Sequence, residues 1–259
     1  MKLSLQLYTL RNQIDEDLPG TLDRVAELGF TNVEPYGFAD RAPEMAAALN
    51  ERGLMAPSGH APLISGDAEA ILEAAATLGM TTVIDPHRPQ ELWENVADIQ
   101  AAAARLNEIA PLAAERGIRI GYHNHNWELE KKYDGDASST GRLAETGETT
   151  ALEYFASLLD PSIVLEVDVY WALVGGVDPV ALLERLGDRV KFLHLKDGPA
   201  TGVTKDQLPA GDGEVPLKDI VETSGAEYGV VEFDDYSGDI FEGIAESKEY
   251  LVKAGVEGK

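Results

Sequence analysis

Short runs of β-branched and aliphatic residues recur eight times along the chain, and amphipathic stretches separate them. The runs are LSLQLY (3–8), TNVEPY (31–36), LMAPSG (54–59), MTTVID (80–85), IRIGYH (118–123), IVLEVD (163–168), VKFLHL (190–195) and GVVEFD (229–234). Their length and continuous apolar character predict buried strands. Between them LPGTLDRVAELG, APEMAAALNERG, AEAILEAAATLG and DPVALLERLGD place apolar residues at helical spacing. Gly29, Gly53, Gly79, Gly117 and Gly187 stand a residue or two before the next strand, where a helix C-cap is expected. The fourth helix is predicted over 91–116, with Pro111 breaking or restarting it.

Eight strand-and-helix units predict one (β/α)8 TIM barrel over 1–259, with the active site at the C-terminal ends of the strands. The rival, an open doubly wound sheet, would bring a glycine-rich phosphate loop after the first strand, and TLRNQIDED stands there instead. Two insertions, 129–149 and 198–215, leave C-terminal strand ends and are expected to act as lids or substrate-selecting loops.

Composition narrows the chemistry. A chain of 259 residues that is 44% hydrophobic can fill such a barrel. It has no Cys, so thiolate ligands, disulfides and cysteine nucleophiles are excluded and metal ligation falls to His, Asp and Glu. Lys and Arg total 21 against 46 Asp and Glu, a formal net charge of −25. That charge disfavours nucleic acid and anionic membranes; solubility or adaptation to salt is its first explanation, and a sharper reading is that it favours a divalent cation and disfavours a phosphorylated substrate. No signal segment or long apolar run is legible, so the expected setting is soluble and cytoplasmic. Homo-oligomerisation through the barrel's outer surface is open.

The chemistry gathers at the strand ends. His123 and His125, Asp168, His194 and Glu232 each end or follow a strand, and a parallel barrel delivers such ends to one rim. His60 and His87 follow the third and fourth strands, so every histidine sits on that rim. Strand alternation puts Glu166 on the same face as Asp168, Lys196 with His194, and Asp234 with Glu232. An N/O site of this kind suits Mn²⁺, Zn²⁺, Co²⁺ or Fe²⁺, with Mn²⁺ the first expectation. Tyr8, Arg11, Trp127, Tyr170 and Trp171 line the rim, where aromatic faces suit the C–H surface of a sugar. Glu34 is a substrate contact or a buried structural carboxylate; Glu128 is a ligand, an acid or a surface group; Lys196 polarises substrate oxygens or pairs with Glu166 or Asp197.

QLYTLR, GFTNVEPYG, GYHNHNWELE, LEVDVYW, VKFLHLKD and VVEFDDY, spread over nearly the whole chain, resemble the sugar phosphate isomerase/epimerase superfamily, the xylose-isomerase-like barrels. That group includes ketose 3-epimerases, inosose dehydratase and 3-keto-glycoside-processing enzymes. The resemblance implies one divalent ion held from strands five to eight, which carries over to His123, Asp168, His194 and Glu232. It departs at strand five, where HNH stands in place of the ENH of many relatives. A metal-bound imidazole is a poor proton carrier, so the two-glutamate epimerisation of the ketose epimerases is in doubt, and His125 becomes the better base.

The expected reaction is proton abstraction α to the carbonyl of a keto-sugar, 3-keto-glycoside or keto-cyclitol, followed by β-elimination. His125 or Glu232 takes the proton and Glu128 or Lys196 donates one. Tyr8, Glu34, His60, His87, Trp127 and Trp171 are the expected substrate contacts. Isomerisation or epimerisation through the same enediolate is the alternative, and a non-catalytic sugar-binding barrel is the second.

Overall fold

The computed structural model describes residues 1–133 and 149–258. Eight parallel strands run through them: β1 Lys2–Gln6, β2 Val33–Glu34, β3 Ser58–His60, β4 Thr82–Asp85, β5 Arg119–His123, β6 Val164–Asp168, β7 Val190–His194 and β8 Tyr228–Val231. They are paired in the order β2, β1, β8, β7, β6, β5, β4, β3. Parallel bridges from Asn32 to Met55 and from Tyr36 to His60 bring β2 back against β3. The result is a nearly closed (β/α)8 TIM barrel with helices between the strands. A two-residue antiparallel ladder joins Lys132–Tyr133 to Thr149–Thr150 beside it.

The hydrophobic pattern explains the layering. Residues such as Leu5, Val33, Val83, Ile120, Leu165, Leu193 and Val231 pack with the helices in one continuous core. Ile84, Val164 and Phe192 form a separate cluster, with Tyr228 stacked on Phe192. Gly121 faces the same interior, where a Cβ would stand 3.0 Å from the carbonyl oxygen of Val164, so the barrel narrows around a glycine. Above this apolar plug the inward positions turn polar: Gln6, Glu34, Ser58, His123, Glu166 and His194 are all buried.

Several elements differ from the sequence expectation. Strand β1 ends at Gln6, whose side chain accepts from the Tyr8 amide and turns Leu7–Leu10 into a 3-10 helix. Strands β2 and β3 are short because Pro35 and Pro57, lacking an amide hydrogen, interrupt the ladder around them. Pro111 does not break its helix, which runs over Val96–Ala114; Ile109, Ala110 and Ala113 are buried on either side of it and hold the turn against the barrel. The five predicted C-cap glycines all have positive φ, between 57° and 78°.

Of the insertion at 129–149, residues 134–148 lie outside the described residues. The insertion at 198–215 is fastened rather than free. The Asp197 carboxylate accepts from the amides of Gly198 (2.8 Å), Gly211 (2.8 Å) and Val215 (3.0 Å), and Leu208 N donates to Asp197 O at 3.0 Å. No helix among the described residues is long and apolar enough to cross a membrane.

Candidate active site and metal centre

At the C-terminal mouth of the barrel a cavity of about 450 Å³ is lined by Tyr8, Tyr36, His60, His87, His123 and His125, with Lys196, Glu232 and Asp234. Two interlocked charge clusters form its floor. In the inner one Glu166 Oε2 lies 2.6 Å from His60 Nε2, 3.0 Å from His123 Nδ1 and 3.1 Å from His194 Nε2. Glu34 sits behind, 2.9 Å from His194 Nε2 and 3.2 Å from His60 Nε2, and accepts from Gln6 Nε2 at 2.8 Å and from the Ser58 hydroxyl. In the outer cluster Lys196 Nζ is 2.9 Å from Asp168 Oδ2, 2.7 Å from Glu232 Oε2 and 2.8 Å from Asp234 Oδ2. His194 joins the two, its Nδ1 lying 2.6 Å from Glu232.

Local structure holds these groups in place. Asp168 caps the helix Val169–Val174 by accepting from Trp171 N at 2.8 Å, which leaves its other oxygen to Lys196. Asn124 Oδ1 accepts from Asp168 N at 3.1 Å and ties the end of β5 to the end of β6. Trp93, Tyr122 and Phe155 pack with ring centroids 5.0–5.5 Å apart, and Tyr122 then donates to Glu128 Oε1 at 2.8 Å. Glu128 Oε2 accepts from His125 N at 3.0 Å. The His125 ring stacks on Trp127, with centroids 4.3 Å apart.

Burial and charge set the protonation states. Burial opposes a charge on His60 and His194, but the neighbouring carboxylates outweigh it: His60 rises to about 9 through Glu34 and Glu166, and His194 rises well above its usual value through Glu166 and Glu232. His123 and His125 are pushed well below the ordinary histidine range by burial, reinforced by His194 for the first and Lys196 for the second. His125 is therefore neutral at pH 7 and able to accept a proton. Burial likewise disfavours ionised Glu232, yet Lys196 and His194 hold it well below the usual carboxylate range. Burial raises Asp168 to about 6, against the pull of Lys196.

The inner and outer clusters are the two groups that could hold a metal ion among the described residues: His60, His123, Glu166 and His194, and Asp168, His194 and Glu232. The donor chemistry fits a divalent ion. Three carboxylates, Asp168, Glu232 and Asp234, converge on a single lysine, Glu34 and Glu166 meet only histidine rings and neutral donors, and the buried Glu166 Oε1 has no hydrogen-bond partner.

The expected site residues thus divide. His123 and His194 share the inner cluster, whereas Asp168 and Glu232 stand in the outer one, with His123 Nε2 4.0 Å from Asp168. His125, Lys196 and Glu232 line the cavity, as do Tyr8, His60 and His87. Glu34 lies buried beneath the floor, and Glu128 is buried behind His125. Trp127 reaches the site through its stack on His125, and Trp171 lies 6.2 Å from the same ring and 5.7 Å from Lys196 Nζ. Sequence reading overlooked Ser58, Gln6 and Gln207. Ser58 was recoverable from period-two alternation below His60. Gln207 had no sequence signal: its insertion folds back so that it donates to Asp234 Oδ2 at 2.7 Å and accepts from Asp234 N at 2.8 Å.

A nearly closed parallel barrel with a buried histidine and carboxylate cluster at its C-terminal mouth has the architecture of the metal-dependent barrel enzymes. Residues 22–251 match the family described as xylose isomerase-like TIM barrel, and the chain belongs to that family. An inosose dehydratase of Geobacillus kaustophilus is 27% identical over 225 residues, covering 71% of this chain and 66% of that protein. An inosose dehydratase of Bacillus anthracis is 30% identical over 109 residues, covering 42% of this chain and 29% of its own length. The chain thus spans just under two thirds of the first of these curated relatives and less than a third of the second. The crystal structure of a sugar phosphate isomerase/epimerase from Parabacteroides distasonis superposes with a TM-score of 0.80 at 25% identity, covering 98% of this chain and 94% of that one.

Proposed function

We propose that this chain is a divalent-metal-dependent carbohydrate lyase that removes a proton α to the carbonyl of a keto-sugar, 3-keto-glycoside or keto-cyclitol and eliminates a β-substituent. The observation that carries the reading is the cavity floor, where neutral His125, cationic Lys196 and the ionised Glu232 face one space above a cluster able to hold an ion. The relatives named inosose dehydratase support the elimination, and the aromatic lip of Tyr8 and Tyr36, in edge contact at 5.3 Å, suits the C–H face of a sugar. Lys196 is the one lysine or arginine among the described cavity-lining residues, and three carboxylates already engage it, which disfavours a phosphorylated substrate.

His60, His123, Glu166, His194, Asp168 and Glu232 are the residues that would hold the ion, with Mn²⁺, Zn²⁺, Co²⁺ and Fe²⁺ all compatible with an N/O set. When bound, such an ion supplies Lewis-acid stabilisation of the developing enediolate. His125 accepts the α-proton on its imidazole, kept neutral and held by the Trp127 stack. Lys196 directs its ammonium at substrate oxygen and donates the proton that leaves with the β-substituent, and Glu232 and Asp168 hold that ammonium in position. Glu128 fixes the backbone of His125 from behind. The cytoplasm is the setting we assign to this chemistry.

The likeness to a sugar phosphate isomerase/epimerase favours a second reading, in which the proton returns to carbon instead of a substituent leaving. One experiment separates the two: the metal-reconstituted protein is incubated in D₂O with unphosphorylated keto-sugars, inososes and 3-keto-glycosides and followed by NMR. Deuterium at the α-carbon with loss of a substituent is the expected result. Deuterium without loss would establish the isomerase or epimerase, and binding without exchange would leave a sugar-binding barrel.

A further inference from the structure

The 198–215 insertion leaves the end of β7 just after Lys196, and one of its polar side chains, Gln207, is 1% exposed. The backbone of the insertion seats that residue. Leu208 N donates to Asp197 O at 3.0 Å and Gln207 N to Thr204 O at 3.2 Å. Gly198 permits the close approach, because a Cβ there would stand 3.2 Å from Gln207 Cα. Gln207 then turns both ends of its amide to a single residue: Nε2 donates to Asp234 Oδ2 at 2.7 Å, and Oε1 accepts from Asp234 N at 2.8 Å. Arg11 Nη2 donates to Asp234 O at 2.8 Å, so the amide, the carbonyl and one carboxylate oxygen of Asp234 are all fixed. That same Oδ2 lies 2.8 Å from Lys196 Nζ.

Fastening the loop does not account for this arrangement. Asp197 already gathers the amides of Gly198, Gly211 and Val215, whereas both Gln207 side-chain bonds go to a residue that lines the cavity. Of the three carboxylates around Lys196, Asp168 and Glu232 also belong to a group able to hold an ion, and Asp234 does not. Among the described residues the one ion pair of Asp234 is with Lys196. An amide suits the task, since it can donate to Oδ2 while accepting from N, and being uncharged it leaves the ionic attraction of Asp234 to the lysine. We infer that Gln207 is a positioning residue that acts through Asp234 to aim the Lys196 ammonium, and that the 198–215 insertion braces the site from the side. The inference rests on the proposed role of Lys196 as proton donor, but the placement of the ammonium can be measured without that role.

The first test therefore needs no substrate. Side-chain ammonium signals of the metal-free full chain, labelled with 15N-lysine, are recorded by NMR, and Lys196 is assigned by the signal lost in Lys196→Arg. Burial and three carboxylates are expected to slow proton exchange at Nζ enough to give a resolved wild-type signal. Gln207→Met keeps the length of the side chain and removes both hydrogen bonds. It is expected to shift that signal and to speed its exchange by about tenfold or more, the loss that follows from one hydrogen bond to a charged group. The amides of Gly198, Gly211 and Val215 are expected to keep their protection, and Gln207→Asn, with its amide drawn back by one methylene, is the milder variant should Met unfold the loop. A wild type without a slow Lys196 signal, or a Lys196 signal unmoved in both variants, would overturn the inference. So would a signal lost only together with the protection of those three amides, because Gln207 would then be a fastener of the loop.

The second test uses whichever substrate exchanges its α-proton in the D₂O experiment. Gln207→Met and Asp234→Asn are each expected to lower kcat by about 100-fold, as a displacement of about 1 Å does, and to leave KM nearly unchanged. The double variant should be no slower than the poorer single one, since the two residues act in series. Additive losses, or a change in KM alone, would overturn the inference. A displaced ammonium with kcat intact would sink it and leave the proposed function standing. No exchange by the wild type would sink the proposed function and leave the NMR result to decide whether Gln207 positions Lys196.

Discussion

At the residue scale, Glu128 carries the most direct test of the site's electrostatics. Burial raises its carboxyl from an ordinary value of 4.5 to about 8, while the hydrogen bonds donated by Tyr122 and by backbone amides pull the other way. A carboxyl whose pKa is raised in the fold binds its proton more tightly folded than unfolded. Its contribution to stability is therefore complete below about pH 4.5 and is lost as pH climbs to about 8. Glu128→Gln keeps the shape without the titration, so the melting temperature of the wild type, measured against this variant, should fall over that pH range. A constant difference would mean that Glu128 is ionised in the fold. Residue types at strand ends were legible in the sequence, and so was the pairing of Glu166 with Asp168 on one face, since period two determines it. Which atoms meet was not legible. Glu166 reaches His60 across 106 positions, and His194 turns one nitrogen to Glu34 and the other to Glu232.

At the element scale, the strands followed the apolar runs, and their limits followed proline chemistry and side-chain caps that the runs do not encode. Gln6 ends β1 by capping the turn behind it, and Asp168 ends β6 by capping the next helix. Both are local hydrogen bonds, and each puts a site residue at a strand's last inward position. The insertion at 198–215 behaves differently: Asp197 gathers its amides and Gln207 is 1% exposed. Asp197→Ala should leave several of these amides without acceptors. Each buried donor left unpaired costs about 1–3 kcal/mol. The expected outcome is a lower melting temperature together with faster hydrogen exchange at Gly198, Gly211 and Val215. Unchanged exchange at those amides would mean that the loop is held by its other contacts.

At the scale of the whole molecule, a net charge of −25 on 259 residues makes self-repulsion a standing cost of the compact state. Screening reaches about 10 Å at 0.1 M ionic strength and about 3 Å at 1 M. Sodium chloride should therefore raise the melting temperature steadily over that range, and a flat or falling curve would show that the acidic surface is already balanced by its ion pairs. The sequence by itself determined the eightfold alternation, the barrel and the rim on which its chemistry lies, because side-chain periodicity and the crossover of parallel strands are properties of local chain geometry. Tertiary structure alone decided the grouping on that rim. Whether His123 faces Asp168 or Glu166, and which carboxylates meet Lys196, depends on strand stagger and barrel depth. Those arise from packing Ile84, Val164 and Phe192 beneath the site, which no single segment contains.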